Sequence, residues 1–287
     1  MIKDSCVALG FFDGVHIAHQ KLIEKTISIS KKEGLCPLVL TFDYSPMSLL
    51  SQKKVSYLTL PEEKEKIISG LGAKTHFLPL TKELLTLNAE DFVRDILVKE
   101  YHIKHAVCGY NYTFGYGGKG EASLLLKLGE KYGFKAEIIP GIKASGDVVS
   151  SSRIRNLIRE GKVKEASLLL GRNYCLSGTV QRGKQLGKKL GFPTANMFFD
   201  EKLVFPKAGV YKTVAIIDAK RFNAITNAGI NPTVGGEDFR AETHIPRFEE
   251  NLYGKEITIE FLDFIRDEKK FENLTLLTQQ IQKDLLI

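Results

Sequence analysis

Two histidines lie three residues apart in the segment Gly10-Phe-Phe-Asp-Gly-Val-His-Ile-Ala-His19, between a short apolar run and a stretch with helical apolar spacing. His16 and His19 are therefore expected on one face of a first helical turn, where exposed N–H groups and the helix dipole attract anions. Imidazoles in that position can donate hydrogen bonds to phosphate oxygens as negative charge develops. The arrangement predicts nucleotidyl transfer, which depends on positioning and charge stabilisation. The alternative, two surface histidines at a helix start, is disfavoured by the order of strand, turn and helix.

A second segment, Gly187-Lys-Lys-Leu-Gly-Phe-Pro-Thr-Ala-Asn196, combines glycines with cations and oxygen ligands. Its glycines allow a nucleotide to approach the backbone closely. The nearby cations are Lys184, Lys188 and Lys189. Thr194 and Asn196 alternate along an extended chain, so their side chains point the same way. Hard oxygen ligands on one side suit Mg²⁺ held jointly with ATP phosphates, and the alternative is an ordinary loop rich in glycine and lysine.

The first part of the chain alternates between strand and helix patterns. Short apolar runs that predict strands cover residues 5–11, 36–42, 105–110 and 134–140. Helical apolar spacing covers residues 17–32, 88–99, 121–132, 154–161 and 163–171, the fourth of these after the capping serines 150–152. The alternation predicts βαβ units and a parallel sheet with a ligand crevice at the carboxyl ends of its strands.

After Gly171 the segments become short, β-branched and separated by Gly, Pro and Asn, which predicts a small antiparallel barrel. The amphipathic tail from Phe271 to Leu285 is expected to be a closing helix. We therefore predict two domains, one spanning residues 1–171 and the other residues 172–287.

Composition supports two ordinary globular domains, because 287 residues with 43% hydrophobic and 26% charged side chains can bury two cores. The net charge of +7 is spread without a block of five basic residues, which favours small phosphorylated molecules over nucleic acid. The beginning does not resemble a signal peptide, and no apolar stretch approaches the roughly 18 residues of a membrane span. These features predict a cytoplasmic protein without a membrane partner.

The histidine segment resembles the GxFDGxHxGH motif of bacterial bifunctional riboflavin kinase/FMN adenylyltransferases, within the HxGH nucleotidyltransferase superfamily. Ser150-Ser-Ser-Arg-Ile-Arg155 is similar to the SSTRIR segment of that family, and the run 107–115 is similar to its flavin-side VGxNFxFG segment. The resemblance implies a Rossmann-like N-terminal domain. Its implied ATP-binding residues are Phe11, Asp13, His16, His19, Ser152 and Arg155, with His16 and His19 catalytic and Asn111 at the flavin.

Four positions of the N-terminal half depart from the family pattern, and one of them, Ser152 in place of threonine, is a mild change. Ala18 stands where the family has glycine, and its methyl group is expected to crowd the nucleotide and weaken adenylylation. Tyr44 and Ser45 stand where the family usually has proline and histidine.

The run Gly187–Met197 is similar to the GRxLGFPTAN motif of riboflavin kinases, and several downstream segments align with the same family. The resemblance implies that Glu242 is the catalytic general base, taking the proton of the ribityl hydroxyl as it attacks the γ-phosphate. The implied ATP-binding residues are Gly178, Lys184, Gly187, Lys189 and Thr194; the implied Mg²⁺ ligands are Thr194 and Asn196; the implied flavin-binding residues are Arg266 and Glu268. Lys188 replaces the usual arginine and Arg247 the usual aspartate or asparagine.

The resemblance as a whole implies that the C-terminal domain phosphorylates riboflavin with ATP to FMN. The N-terminal domain is then expected to adenylylate FMN with ATP, giving FAD and pyrophosphate. Two alternatives stay open: a non-catalytic flavin-sensing regulator with RNA-binding capacity, and a nucleotidyltransferase for another small phosphorylated substrate. An intact set of Thr194, Asn196 and Glu242 argues against the first.

Overall fold

The computed structural model describes residues 4–46, 55–183, 187, 191–233 and 236–286, with the backbone alone for 230–233 and 236–238. The chain forms two compact units, Met1–Ser151 and Ser152–Ile287. The predicted boundary after Gly171 lies two helices further along the chain and stays a prediction.

The first unit is built on a five-stranded sheet in the order β3-β2-β1-β4-β7. All four neighbouring pairs are parallel. The five strands are β1 (Ser5–Leu9), β2 (Cys36–Phe42), β3 (Lys74–Leu78), β4 (Ile103–Gly109) and β7 (Lys135–Ile139). Two short hairpins add β5 (Thr113–Phe114) with β6 (Gly120–Glu121), and β8 (Lys143–Ala144) with β9 (Asp147–Val148).

Helices cover both faces of this sheet. They are α1 (Ile17–Glu33), α2 (Pro61–Leu71), α3 (Lys82–Thr86), α4 (Ala89–Asp91) continuing as a π-helix (Phe92–Glu100), and α5 (Ala122–Tyr132). Alternate residues of β1 enter two separate cores, Val7 and Leu9 on one face and Cys6 and Ala8 on the other. Burial on both faces explains why β1 is apolar at nearly every position.

The second unit begins with α6 (Ser151–Arg159), whose first residue belongs to the first unit, and α7 (Val163–Leu170). Six antiparallel strands then close into a barrel in the order β10-β11-β14-β13-β12-β15. They are β10 (Tyr174–Gln181), β11 (Thr194–Phe198), β12 (Gly209–Ile217), β13 (Lys220–Thr233), β14 (Gly236–His244) and β15 (Glu256–Arg266). Helix α8 (Leu274–Asp284) follows.

Buried threonine hydroxyls form a hydrogen-bonded row across three strands of the barrel. Thr213, Thr226 and Thr243 lie on three neighbouring strands, and successive hydroxyl oxygens are 2.9 Å apart. Each hydroxyl therefore has a hydrogen-bond partner despite its burial, as buried polar groups require.

The predicted fold class is confirmed: a parallel α/β unit, an antiparallel barrel and a C-terminal helix. The helix is shorter than the predicted stretch of residues 271–285, because Asn273 caps its N-terminus by accepting a hydrogen bond from the Leu276 backbone N–H at 3.0 Å. Among the described residues, no helix is both long and apolar enough to cross a membrane.

Candidate active sites

The first candidate site lies at the carboxyl end of β1, the central strand of the parallel sheet. The chain leaves β1 through Gly10 and makes a tight turn in which Phe12 has a left-handed backbone conformation, with φ at 54°. A single 3₁₀ turn over Asp13–Val15 then delivers His16 as the N-cap of α1. This position, outside the carboxyl end of a central strand, is where open α/β sheets bind ligands.

The two histidines of this turn stack on each other. The His16 and His19 ring centroids are 3.5 Å apart and the planes are inclined by 13°. His16 Nδ1 accepts a hydrogen bond from the His19 backbone N–H at 3.3 Å, so a neutral His16 ring carries its proton on Nε2. Burial, and then the neighbouring His16 and Lys64, hold the pKa of His19 well below its usual range. The His19 ring can therefore act as a neutral hydrogen-bond donor, and His16 keeps Nε2 available as a donor.

Asp13 is buried beneath the turn, with 1% of its surface exposed. Its Oδ1 accepts hydrogen bonds from the backbone N–H groups of Leu58 and Thr59, at 2.9 and 3.4 Å. The backbone N–H of Gly14 returns a bond to Thr59 Oγ1 at 3.1 Å. The Asp13 carboxylate thus fastens the turn to the segment that precedes α2, and its predicted contact with ATP stays a prediction.

A cavity of about 560 Å³ opens beside the turn. Its apolar lining includes Leu9, Phe11, Leu22, Leu40, Phe42 and Phe92, and its polar lining includes His19, Asn111 and Thr113. A large apolar pocket with a few convergent polar groups is the usual form of a site for a small ligand with an extended apolar part.

Of the residues predicted for the N-terminal site, Phe11, His19 and Asn111 line this cavity together. Ser152 and Arg155 lie one turn apart on α6, and Arg155 Nη1 is 3.4 Å from Ser152 Oγ. Ser151, at the start of the same helix, donates from Oγ to the Asp13 carbonyl at 2.9 Å.

The second candidate site lies on the barrel, where strand register groups three predicted residues. Asn196 on β11 is directly opposite Glu242 on β14, and Thr194 is opposite His244. Opposed residues and residues two apart share a face of a sheet, so Thr194, Asn196 and Glu242 project from one face. The Glu242 side chain is exposed, whereas Thr194 and Asn196 are half-buried. His244 Nδ1 is 2.9 Å from the Pro193 carbonyl, which braces the strand end.

Glu268 extends the same face of the barrel. Asn227 on β13 is opposite Glu242 in the register, and its Nδ2 donates to Glu268 Oε1 at 3.3 Å. A Cβ atom at Gly229 would lie 2.7 Å from that carboxylate oxygen, so the glycine leaves room for Glu268. The order across the sheet is therefore Asn196, Glu242, Asn227 and then Glu268.

Other predicted residues of the barrel have different surroundings. Gly178 on β10 is buried, and a Cβ there would lie 2.9 Å from the Phe199 ring. The Gly187 carbonyl accepts a hydrogen bond from the Phe192 N–H at 2.9 Å. Arg266 pairs with Asp284 of α8, Nη2 to Oδ2 at 2.7 Å. Lys184 and Lys189, and with them Lys188, lie outside the described residues.

Sequence patterns missed three residues that the structure brings to these sites. Lys64 is buried beneath the histidine turn, Asn227 lies opposite Glu242 and donates to Glu268, and Asp284 pairs with Arg266. Only for Lys64 did the local sequence contain a signal. Pro61 followed by two glutamates is typical of a helix start, and it would place Lys64 near the first turn of that helix.

Two protein-family models match the chain, one over the part that holds the first site and the other over the part that holds the second. The FAD synthetase family model matches residues 1–153, and the riboflavin kinase family model matches residues 170–286.

The chain is also similar to bacterial proteins over nearly its whole length. The bifunctional riboflavin kinase/FMN adenylyltransferase of Listeria monocytogenes is 36% identical over 97% of this chain and 89% of that protein. The protein of the same name from Bacillus subtilis is 33% identical over 98% and 90%. A crystal structure of a protein from Streptococcus pneumoniae, named a macrolide-efflux protein, superposes with a TM-score of 0.91 at 31% identity, covering 100% of this chain and 94% of that one.

The fold and the matched models define a two-part enzyme in which a nucleotide-transferring α/β unit precedes a kinase barrel. The chain belongs to the family of bifunctional riboflavin kinase/FMN adenylyltransferases. Enzymes of this family use ATP together with a divalent metal ion.

Proposed function

We propose that this chain phosphorylates riboflavin to FMN on its barrel and adenylylates FMN to FAD on its parallel-sheet unit, with ATP as the donor in both reactions. The observation that carries the proposal is the tandem match of both family models to one chain. Macrolide efflux, the activity for which the streptococcal protein is named, is not transferred, because both models and the curated relatives name flavin chemistry.

In the kinase reaction we assign the general base to Glu242. Its carboxylate is exposed on the face that it shares with Thr194 and Asn196, so it can receive the proton of the ribityl 5′-hydroxyl. The hydroxyl oxygen then bonds to the γ-phosphorus of ATP as the bond to the bridging oxygen breaks and ADP leaves. Asn227 and Glu268 continue the same face and are assigned to the flavin side of the substrate.

The metal ion of the kinase site is proposed to be Mg²⁺. Thr194 Oγ1 and Asn196 Oδ1 are hard oxygen donors on one face of β11, a set that suits an ion which takes one or two protein ligands and completes its shell with phosphates and water. Such an ion would neutralise charge on the transferring phosphate.

In the adenylyl transfer we assign His16 and His19 to the transferring phosphate. A phosphate oxygen of FMN attacks the α-phosphorus of ATP, and the bond to the β-phosphate breaks to release pyrophosphate. Imidazole N–H groups at the start of α1 would stabilise the charge that develops on the α-phosphate oxygens. The apolar cavity, which Asn111 helps to line, is assigned to the flavin ring.

The test is a product time course with the purified full chain, riboflavin, ATP and Mg²⁺. FMN should appear first and decline as FAD and pyrophosphate accumulate. Omitting the metal or adding a chelator should stop both steps. Tight flavin binding without any FMN would instead support the regulator, and FMN without FAD would restrict the proposal to the barrel. We also propose a cytoplasmic location, since both steps consume ATP, and cell fractionation tests it.

A further inference from the structure

Lys64 is a buried cation directly beneath the histidine turn. It lies on α2 with 1% of its surface exposed. Its Nζ donates hydrogen bonds to the carbonyls of Phe11 and Phe42, both at 3.0 Å, and lies 4.2 Å from the centre of the Phe11 ring. Lysine is almost never fully buried, because removing an ammonium from water is costly unless it is compensated. A buried lysine at this position therefore calls for a functional reason.

The two carbonyls belong to different parts of the adenylyl-transfer site. Phe11 is in the turn that connects β1 to the histidines, and Phe42 is the last residue of β2. Thr41 Oγ1 donates to the same Phe11 carbonyl at 2.9 Å, which adds a second tie between the turn and β2. Phe11 and Phe42 both line the cavity, so the hydrogen bonds from Lys64 hold two of the lining residues in position.

The charge on Lys64 acts within the same site. Among the described residues, Asp13 of the turn and Asp43 after β2 are the acidic groups that act on it electrostatically, and His19 on α1 is its titratable neighbour. Burial lowers the pKa of Lys64 to about 8, and the two aspartates oppose that shift. The amine therefore carries its proton at neutral pH and loses it as the pH rises above about 8.

We infer that Lys64 is a positioning residue for adenylyl transfer, which ties the Phe11–Asp13 turn to β2 and holds a buried positive charge beneath the His16–His19 pair. The inference rests on the proposed function of this unit. A fixed charge in a medium of low polarity acts more strongly on a bound anion than the same charge in water. It is also already oriented before the phosphates arrive, which is the condition for efficient charge stabilisation.

The two hydrogen bonds of Lys64 to the Phe11 and Phe42 carbonyls, here called the tether, can be separated experimentally from its charge. A neutral lysine amine keeps two N–H groups, enough for the carbonyls of Phe11 and Phe42, so deprotonation removes the charge and leaves the tether. The kcat/KM for ATP in FMN adenylylation should therefore fall on an alkaline limb with a midpoint near the pKa of free Lys64, about 8. Substitution by methionine removes both tether and charge.

The experiment compares four full-length proteins: the natural chain, Lys64→Met, Lys64→Arg, and the matched control Lys66→Met, which changes an exposed lysine of the same helix. The kcat/KM for ATP in FMN adenylylation is measured from about pH 6 to about pH 10, with riboflavin phosphorylation by the same preparations as the internal standard. Lys64→Met should lower adenylylation at least ~30-fold at pH 7 and show no alkaline limb. Lys64→Arg should keep its rate above pH 8 because guanidinium stays charged. Lys66→Met should behave like the natural chain.

Two results of the pH profiles would overturn the inference. One is a natural chain without an alkaline limb near pH 8, and the other is a limb of equal midpoint in Lys64→Arg. Both hold even where Lys64→Met fails to fold, a failure that thermal melting would reveal. Adenylylation by a folded Lys64→Met protein within about threefold of the natural rate would also refute it. Absence of FAD from the natural chain at every pH would instead refute the proposed function.

Discussion

Arg266 and Asp284 form a bidentate ion pair between the end of the last barrel strand and the end of the C-terminal helix. Arg266 Nε is 3.1 Å from both carboxylate oxygens, and Nη2 is 2.7 Å from Oδ2. The side chains are 15% and 3% exposed, so the pair is nearly removed from water. Gln280 Nε2 donates to Asp284 Oδ1 at 2.8 Å and completes the set. The pair fastens α8 to the barrel, a task for Arg266 in addition to its predicted contact with flavin.

Breaking this pair should loosen α8 and weaken flavin binding. Asp284→Asn leaves the Arg266 guanidinium buried without its counter-charge, which should lower the free energy of unfolding of the barrel by about 3 kcal/mol. Urea unfolding followed by circular dichroism measures this change. Phosphorylation rates at varied riboflavin concentration should show a raised KM for riboflavin. Lys283→Gln, at an exposed neighbouring position, is the control. Equal stability of Asp284→Asn and the natural chain would contradict the fastening role.

Glu242→Gln should reduce riboflavin phosphorylation at least ~10²-fold, because the amide cannot accept the hydroxyl proton. ATP binding should stay nearly intact, since the substitution preserves size. Phosphorylation rates and ATP titrations measure the two effects. Glu249→Gln changes an exposed carboxylate elsewhere in the unit and serves as the control. Near-normal turnover of Glu242→Gln would assign the base to another residue.

Ala18→Gly should separate catalysis from stability. Ala18 lies in the first turn of α1, where its methyl group is expected to crowd the nucleotide. Removing it should raise FMN adenylylation about threefold, equivalent to relief of roughly 0.7 kcal/mol. The same change should lower the stability of the unit by about 0.5–1 kcal/mol, because glycine disfavours helix. Steady-state rates and melting temperatures measure the two effects, and an unchanged or lower rate would show that the nucleotide site already accommodates Ala18.

Two fragments test the division of the chain. A fragment of residues 173–287, which follows the predicted domain boundary, should fold and make FMN but no FAD. A fragment of residues 152–287 should do the same and melt at a higher temperature, because α7 packs against β10 and β15 and its Val163 and Ala166 are fully buried. Circular dichroism and product analysis decide the outcome. A folded but inactive longer fragment would show that the kinase site needs the first unit.

The sequence predicted the elements whose apolar residues repeat regularly and missed two elements in which that repeat is broken. Strand β1 and helix α1 follow simple patterns of burial, and both were predicted near their observed limits. Helix α2 was missed because its buried face includes Lys64, which interrupts the apolar repeat. Strand β3 was missed because it lies at the sheet edge and only its last residue, Leu78, is buried.

The residues of the candidate sites also differ in how far the sequence could predict them. Motifs identified the residues that neighbour each other along the chain, such as His16 with His19. The partners supplied by tertiary structure, Asn227 between Glu242 and Glu268 and Asp284 with Arg266, depend on strand register and helix docking. No short segment contains that information.

The most direct test of the central claim, two activities on two sites of one chain, is product analysis of two full-length variants given riboflavin, ATP and Mg²⁺. The double variant His16→Ala, His19→Ala should form FMN within a few-fold of the natural rate and accumulate it, because FAD formation is lost with the two phosphate donors. Glu242→Gln should form almost no FMN from riboflavin, yet convert added FMN to FAD at the natural rate. Loss of both products in either variant, or FAD from the histidine variant at the natural rate, would contradict the account.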